Sequence, residues 1–235
     1  MHDPGSWWSA WLAGAAGVLV PVACAGCAAD GAEVRLRWGM CTPCRAELVP
    51  DVREVGAMTG GERIGSPVLA ALEYAGVAAR AIGALKERGR TDVLGVLAPA
   101  LAAAVAAARP PPGVLVLPIP SSAQAVRHRG FRPVDELLRR AGHPAARSAR
   151  LVVVRAVRDQ AGLSAAERRA NLQGALRAEG PLAGRAVLLV DDVVTTGATL
   201  AEARRAVVRA GGSVLAAACL AHTPRRHAGG SATLR

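Results

Sequence analysis

Short apolar runs alternate with helical patterns through the C-terminal half of the chain. Four runs are wholly apolar and have the length of strands that are buried on both faces: Val114–Leu117, Leu151–Val154, Val187–Val190 and Val214–Leu220. Segments that favour helices lie between them: Arg132–Ala141, Ala165–Leu176 (a polar helix or a loop) and Thr199–Ala210. This alternation predicts an α/β fold, a parallel sheet with flanking helices on both faces.

The N-terminal half divides differently. The pattern is helical from Val68 to Ala108, with a turn at Lys86–Thr91, and three consecutive prolines then end the helix. We predict four regions, which are an N-terminal helix and cysteine unit at 1–50, a Gly-rich linker at 51–67, the main domain at 68–222 and a tail at 223–235.

An apolar stretch from Trp7 to Val22 raises the question of a signal peptide. The residues before it carry no Lys or Arg, whereas a signal peptide begins with a positive segment. The stretch is also short for a membrane span, and Pro21 interrupts it. We therefore expect a short packed helix and a cytoplasmic protein that does not contact a membrane.

Charge adds a second pattern. The net charge is +11, and Lys86 is the only lysine among 29 Lys and Arg residues. An arginine-rich composition follows in part from a GC-rich genome, but the clustering does not, because residues 127–177 hold twelve arginines against four acidic residues. Such a segment suggests polyanionic ligands, either phosphates or nucleic acid.

The segment Val187–Leu200 carries the most specific chemistry. A buried strand delivers Asp191 and Asp192 to its carboxyl end, where ligands of open parallel sheets bind. Small and hydroxylated residues then lead into a helix, where backbone N–H groups and the helix dipole favour an anion. The residues of this anion cradle are Thr195, Thr196, Gly197, Ala198 and Thr199. The segment thus combines hydrogen-bond acceptors for sugar hydroxyls with hydrogen-bond donors for a phosphate. A 5-phosphorylated ribose requires this combination.

This segment resembles the phosphoribosyl pyrophosphate (PRPP) motif of type I phosphoribosyltransferases. The resemblance implies that Asp191 and Asp192 contact the ribose hydroxyls, that Thr195 to Thr199 hold the 5-phosphate, and that Mg²⁺ accompanies PRPP. The alternative is a metal-binding acid pair at a strand end, as in a P-loop NTPase. That class also needs G-x-x-x-x-G-K-[ST], and the surroundings of Lys86 do not provide it.

Two further segments occupy places that matter in such a fold. Ser121 and Ser122 follow the strand at Val114–Leu117, where the family places its pyrophosphate loop, although Pro and Ser also form ordinary turns. Arg158, Arg168 and Arg169 lie where type I enzymes carry a flexible catalytic loop, and an arginine closing over pyrophosphate stabilises developing charge. The alternative for these arginines is a solvated helix face.

Two Cys-x-x-Cys pairs lie thirteen residues apart near the N-terminus. Their members are Cys24, Cys27, Cys41 and Cys44. Four thiolates at this spacing suit a closed tetrahedral Zn²⁺ site, and a small unit gains much of its folding energy from such an ion. A redox role is the competing interpretation, but two matched pairs favour structural zinc.

Taken over nearly its whole length, the chain resembles the ComF family, which joins a zinc ribbon to a type I phosphoribosyltransferase domain. The matching segments are the cysteine pairs, Leu85–Arg90, Arg127–Phe131, Gln160–Ser164, Arg168–Asn171 and the Asp191–Asp192 loop. Arg132 and Pro133 stand where the family usually has Asn-Gln, which puts the family-typical acceptor contact in doubt.

The resemblance implies a PRPP-dependent transferase that acts on an unknown nucleophile and releases pyrophosphate. A second hypothesis is a non-catalytic protein that senses PRPP or a nucleotide and contacts single-stranded DNA or a DNA-processing partner. An open arginine surface with stacking aromatics would favour that hypothesis, and Phe131 is the only aromatic within the arginine-rich segment. The acceptor and the oligomeric state are not readable from the sequence.

Overall fold

The structure is a computed structural model that describes residues 23–31, 34–56, 58–59, 62–63, 65–155 and 165–224. The helix predicted around Trp7, the catalytic candidate Arg158 and the tail from residue 225 lie outside these residues. None of the helices in the described ranges has the length and apolarity needed to cross a membrane.

A five-stranded sheet forms the centre of the molecule. The strands of the described chain are β1 (Arg53–Glu54), β2 (Met58–Thr59), β3 (Glu62–Arg63), β4 (Val68–Glu73), β5 (Leu115–Pro118), β6 (Arg150–Val153), β7 (Leu176–Glu179), β8 (Ala186–Val194) and β9 (Ser213–His222). The central sheet has the order β1-β4-β9-β8-β5, in which β1 is antiparallel and the other four strands are parallel. The predicted α/β architecture is confirmed.

Helices cover both faces of this sheet. They are α1 (Thr42–Ala46), α2 (Gly76–Arg88), α3 (Leu94–Ala107), α4 (Ala123–Arg129), α5 (Pro133–Arg140), α6 (Ala165–Leu172) and α7 (Ala198–Arg209), with a 3₁₀ turn at Thr91–Val93. One apolar core lies between the sheet and α2, α3 and α5, and it includes Leu188 and Val190 of β8. A second core lies on the opposite face beneath α7 and includes Val187 and Leu189. Strand β8 is therefore buried on both faces, as its apolar sequence predicts.

The helix predicted from Val68 is wrong at its beginning. Val68–Glu73 is strand β4, which pairs in parallel with β9, and the helical segment starts only at Gly76. The apolar run Val68–Leu72 is buried on both faces, and a short run of this kind has no periodicity that separates a strand from a helix. The predicted turn is confirmed, because α2 ends at Arg88 and Gly89 follows in the left-handed conformation with φ 63°.

The predicted second strand of the parallel sheet is also wrong in its pairing. Arg150–Val153 forms β6, but β6 pairs antiparallel with β7 in a separate two-stranded sheet. Leu151 is buried and Val152 half-buried, whereas Arg150 and Val153 at the ends of the strand are exposed, so β6 is less enclosed than a central strand of a parallel sheet. Strand β7 also shortens the predicted helix, which ends at Leu172.

The segment 51–67, which we predict as a linker, contributes strands. Arg53–Glu54 forms the antiparallel edge of the central sheet, and Met58–Thr59 pairs with Glu62–Arg63. The domain boundaries themselves stay a prediction.

A buried ionic network fastens the β6–β7 sheet to α7. Glu202 is the one charged residue that is buried among those the structure describes. Its carboxylate accepts hydrogen bonds from the Leu176 N–H at 2.9 Å and from Arg205 Nε at 2.6 Å, and Arg205 also donates to the Leu176 carbonyl. Although burial opposes the charge, these hydrogen bonds lower the pKa of Glu202 below its usual range.

We expect Glu202→Ala to lower the free energy of unfolding by about 1–3 kcal/mol, because it leaves the Leu176 N–H and Arg205 without an acceptor. Glu136→Ala is the matched control, since Glu136 pairs with Arg139 at the same helical spacing but at the surface. That change costs less than about 1 kcal/mol. Denaturant unfolding measures both variants, and equal losses would contradict the structural role of the buried network.

Candidate functional site

The edge of the central sheet has a step beside strand β8. Strand β5 ends at Pro118, level with Val190, and the Ile119 N–H donates to the Val190 carbonyl at 2.8 Å. Strand β8 continues to Val194, paired only with β9 on its other side. The step leaves one side of residues 191–194 without a neighbouring strand, and the acid pair lies on this stretch.

The two carboxylates of the pair have different partners. Asp191 Oδ1 accepts a hydrogen bond from the Asp192 N–H at 2.8 Å. Asp192 Oδ1 accepts from the Val193 N–H at 2.7 Å and from the Lys86 ammonium at 3.0 Å. Lys86 lies in the last turn of α2, more than a hundred residues away in sequence. The site is therefore completed by a helix from the N-terminal half of the chain.

Electrostatics separate the two acids further. Burial and the neighbouring charge of Asp192 raise the pKa of Asp191 to about 8, against a weaker opposing effect of Lys86. Burial disfavours the charge on Lys86, but the proximity of Asp192 and the hydrogen bond to it outweigh this and raise the pKa of Lys86. A carboxyl group and an ammonium group with such shifts are typical of functional clefts.

The loop after β8 turns directly into α7. Thr195 is exposed, and Thr196 Oγ1 accepts a hydrogen bond from the Ala198 N–H at 3.4 Å. Gly197 has φ 81°, a left-handed conformation that a side chain would strain, and α7 begins at Ala198. Thr199 lies in the first turn, half-buried. The five predicted cradle residues thus surround the positive end of a twelve-residue helix.

The predicted serines lie at the same edge of the sheet. They follow β5, whose end is hydrogen-bonded to β8 immediately before the acid pair. The Ser122 hydroxyl caps α4 by accepting a hydrogen bond from the Ala125 N–H at 3.2 Å. Ser121 lines a cavity of about 180 Å³ together with Arg132 and Asp135. Arg132, which departs from the family pattern, therefore faces the same cavity as the serine loop.

The arginine candidates are only partly placed. Arg168 and Arg169 lie on α6, which packs against α7. The structure describes the backbone of these two residues but not their side chains. Several other arginines of the 127–177 segment have internal partners. Arg155 donates to the Asn171 and Gln173 carbonyls, and Arg150 and Arg177 both pair with Glu179. These three arginines have structural partners, and the segment is not a uniformly open basic surface.

The four predicted cysteines come together. Their Sγ atoms all lie within 4.8 Å of one another, with Cys24 to Cys41 at 3.6 Å and Cys27 to Cys41 at 3.8 Å. Tetrahedral coordination with Zn–S bonds of about 2.3 Å requires sulfurs about 3.8 Å apart, so the donor set fits the ion. All four thiols are free, at separations well beyond a disulfide bond.

The local backbone stabilises a thiolate at Cys24. Cys24 Sγ accepts hydrogen bonds from the Gly26 N–H at 3.4 Å and the Cys41 N–H at 3.3 Å. Burial opposes ionisation, but the surrounding backbone N–H groups lower the pKa of Cys24 to about 6. A Cβ atom on Gly26 would lie 2.7 Å from Cys44 Sγ, so glycine is required where the two hooks meet.

The cysteine unit packs onto the main domain. Met40, Cys41 and Cys44 are buried in the same apolar core as α2 and α3. Arg90, just after α2, donates to the carbonyls of Ala23 and Gly39 at 2.8 and 3.2 Å. The unit therefore does not stand apart with little core, as the sequence suggested, but shares its core with the sheet.

Sequence reasoning missed three residues. Lys86 falls within the family-like segment Leu85–Arg90, but its contact with Asp192 was not predicted, although its uniqueness in an arginine-rich chain was a signal. Arg129 donates to the Lys86 carbonyl at 2.9 Å, a contact with no sequence signature. Trp38, between the cysteine pairs, is 45% exposed, and the Arg37 guanidinium lies 5.6 Å from its ring centre.

Comparisons with known proteins agree with this geometry. A family model described as "Phosphoribosyl transferase domain" matches residues 125–232. A protein named "DNA utilization protein YhgH" from Salmonella typhimurium is 30% identical over 207 residues, which cover 79% of this chain and 91% of that protein. The protein of the same name from Escherichia coli O157:H7 is 34% identical over 158 residues, covering 64% and 70%, and that from Salmonella typhi is 37% identical over 149 residues, covering 59% and 64%.

Among solved structures, an adenine phosphoribosyltransferase from Rhodothermus marinus aligns with 75% of this chain and 85% of its own length. The sequence identity is 18% and the TM-score is 0.33, and no conclusion depends on this likeness.

Proposed function

Because the chain belongs to the ComF family, with a type I phosphoribosyltransferase fold and a cluster of four cysteines, we propose that it binds PRPP. It would transfer ribose 5-phosphate to a nucleophile and release pyrophosphate. The observation that supports this best is the step in the sheet, which brings Asp191 and Asp192 beside an open helix N-terminus and the serine loop. Groups that can bind a sugar and groups that can bind a phosphate thereby lie at the same edge of the sheet.

Each part of the site has a task in this proposal. The acid pair accepts hydrogen bonds from the ribose 2- and 3-hydroxyls, and Thr195 to Thr199 surround the 5-phosphate. Ser121 and Ser122 offer backbone and hydroxyl donors to the pyrophosphate. Carboxylate oxygens suit Mg²⁺, but Asp192 is already paired with the Lys86 ammonium group. Mg²⁺ would therefore arrive with PRPP, held largely by its phosphates, and offset part of their negative charge.

Catalysis by this site would rest on positioning and charge stabilisation. As the bond to pyrophosphate breaks, positive charge develops on the ribose ring and negative charge on the leaving group. The fixed acid pair holds the ring in place. Arg158, Arg168 and Arg169 would close over the leaving group and exclude water. The acceptor nucleophile is left open by this proposal.

For the cysteine cluster we propose structural Zn²⁺, held by Cys24, Cys27, Cys41 and Cys44. The ion would fix the hooks that pack against α2 and so support the helix that carries Lys86. Thiolates kept reduced for a metal are typical of the cytoplasm, where we place the protein. No membrane contact is part of the proposal.

A second candidate function is contact with single-stranded DNA or a DNA-processing partner, without catalysis. One observation favours it, namely the exposed Trp38 ring with Arg37 beside it on the cysteine unit. An aromatic ring next to an arginine is the combination on which bases of single strands stack. The relatives named "DNA utilization protein YhgH" agree with such a role.

We expect the double variant Asp191→Asn, Asp192→Asn to lose binding of Mg²⁺-PRPP, because each amide replaces one carboxyl oxygen with an NH₂ group that cannot accept a hydrogen bond from a ribose hydroxyl. Isothermal calorimetry measures the affinity, and circular dichroism checks the fold. The double variant Glu47→Gln, Glu54→Gln makes the same carboxyl-to-amide change at two exposed positions and should bind like the wild type. Unchanged PRPP affinity in the folded acid-pair variant would refute the ribose-binding role.

The purified protein should contain about one zinc ion per chain. Cys41→Ser should lose most of this metal, since Cys41 Sγ is close to two other sulfurs. Cys219→Ala is the control, because Cys219 is buried in the second core and should leave the metal content unchanged. Mass-spectrometric metal analysis decides. A folded, metal-free wild type with oxidised cysteine pairs would support the redox interpretation instead.

The two functions differ in what Trp38 and the three arginines do. If single-stranded DNA stacks on Trp38, Trp38→Ala should weaken DNA binding by about 1–3 kcal/mol while Trp38→Phe retains most of it. Each arginine that contacts a DNA phosphate should add about 0.7 to the salt dependence of binding.

The triple variant Arg158→Gln, Arg168→Gln, Arg169→Gln makes the comparison complete. A transferase should lose turnover more than PRPP affinity, because the arginines act on charge that develops late. Pyrophosphate release and fluorescence anisotropy of labelled DNA at several salt concentrations are the two measurements. No change in either would leave these arginines as a solvated helix face.

A further inference from the structure

Lys86 is unusual in this chain because every other basic side chain of the Lys and Arg type is an arginine. It is the only lysine among 29 Lys and Arg residues, and it lies at the acid pair. Its ammonium group is 3.0 Å from Asp192 Oδ1, with the Lys86 side chain 35% exposed and that of Asp192 16% exposed. The contact is therefore largely enclosed but still reached by solvent.

The backbone that carries Lys86 is clamped on several sides. The Lys86 carbonyl accepts a hydrogen bond from Arg129, at the end of the helix that follows the serine loop. Gly89 closes α2 in the left-handed conformation. Arg90 then binds the carbonyls of Ala23 and Gly39 and pairs with Asp92. The helix end is fixed in this way, and the contact that holds the four-carbon side chain is its ion pair with Asp192.

Lysine suits this place for a chemical reason. An ammonium group is a compact charge on a flexible stem, whereas a guanidinium group is a wide, flat fork that prefers one bidentate partner. Rotation about the bonds of such a stem moves the ammonium group without any backbone movement. Arginine at position 86 would be held more firmly on the carboxylate.

The cleft itself supplies an alternative partner. Arg129 ties Lys86 to α4, and Ser122 of the predicted pyrophosphate loop caps the start of α4. The serine loop starts at the end of β5, where Pro118 pairs with Val190, the residue just before the acid pair on β8. A diphosphate held by the serine loop would thus lie on the same edge of the sheet as the ammonium group.

We propose that Lys86 is a ligand-contacting residue that exchanges partners when PRPP binds. Without ligand, its ammonium group neutralises Asp192 and keeps the acid pair from repelling an anion. With ligand, the ribose hydroxyls take over Asp192, and the ammonium turns to the pyrophosphate on carbon 1. Lys86 would then set the preference for PRPP over ribose 5-phosphate, an inference that rests on the proposed function.

The first test compares two ligands on three proteins. Calorimetry measures PRPP and ribose 5-phosphate binding to the wild type, Lys86→Gln and the control Arg88→Gln, which removes an exposed charge from the same last helical turn. Lys86→Gln should weaken PRPP binding by about 10- to 100-fold, as for a lost charge-assisted hydrogen bond, and ribose 5-phosphate binding by less than about threefold. Arg88→Gln should change neither affinity by more than about threefold, and Lys86→Arg should recover only part of the loss.

The outcomes separate this inference from the function on which it rests. A wild type that does not bind PRPP would refute the proposed function. A wild type that binds PRPP while Lys86→Gln binds it equally well would refute the role of Lys86 alone. Equal losses for both ligands would show that Lys86 is only a fixed counter-charge to Asp192 and would overturn the exchange.

A second test uses the uniqueness of the lysine. An acetylating reagent can modify one lysine side chain in this protein, and peptide mass spectrometry follows position 86 directly. Saturating PRPP should slow acetylation of Lys86 at least fivefold, and saturating ribose 5-phosphate should not slow it. Equal acetylation rates with and without bound PRPP would overturn the proposal, whatever the variants show.

Discussion

The unequal length of two neighbouring strands is the constraint on which the site depends. Strand β8 has hydrogen-bonded neighbours on both sides as far as Val190, and beyond it only β9 remains. Apolar residues on both faces hold the paired part rigidly in the core. The same strand can therefore present charged residues at its open end without losing its position. A longer β5 would pair with residues 191–194 and remove the space in which a ligand can lie.

The cysteine unit and the acid pair are connected through one helix. Helix α2 packs beside Met40 and Cys44 in a common core, and its end is tied to the unit by Arg90 and to α4 by Arg129. Lys86 lies in that last turn. A disturbance of the four sulfurs would reach the cleft through a continuous packed body. The small N-terminal unit therefore supports the helix that carries Lys86 in the much larger domain.

The sequence predicted the features that depend on local chemistry. The strand–acid pair–Gly197 segment, the cysteine hooks and the end of α2 at Gly89 all rest on short motifs, and the structure has them where the motifs indicate. The α/β class followed from apolar runs in the same way. Partnerships between distant segments were not predictable. Val68–Glu73 is a strand only because β9 is available beside it, and Lys86 meets Asp192 only because the last turn of α2 comes close to the end of β8. The roles of the individual site residues stay predictions.

The fifth cysteine is a buried thiol that reacts slowly. Cys219 lies opposite Asp191 in the sheet register and is fully buried, and burial and the nearby carboxylates raise the pKa of its thiol well above the usual range. A thiol of this kind is protonated and sheltered, so it reacts slowly with electrophiles. Rapid reaction with a thiol reagent therefore arises from the N-terminal cluster, in which Cys27 is the exposed member. In the folded protein, a simple colorimetric thiol count reports the state of the N-terminal cluster without interference from the core.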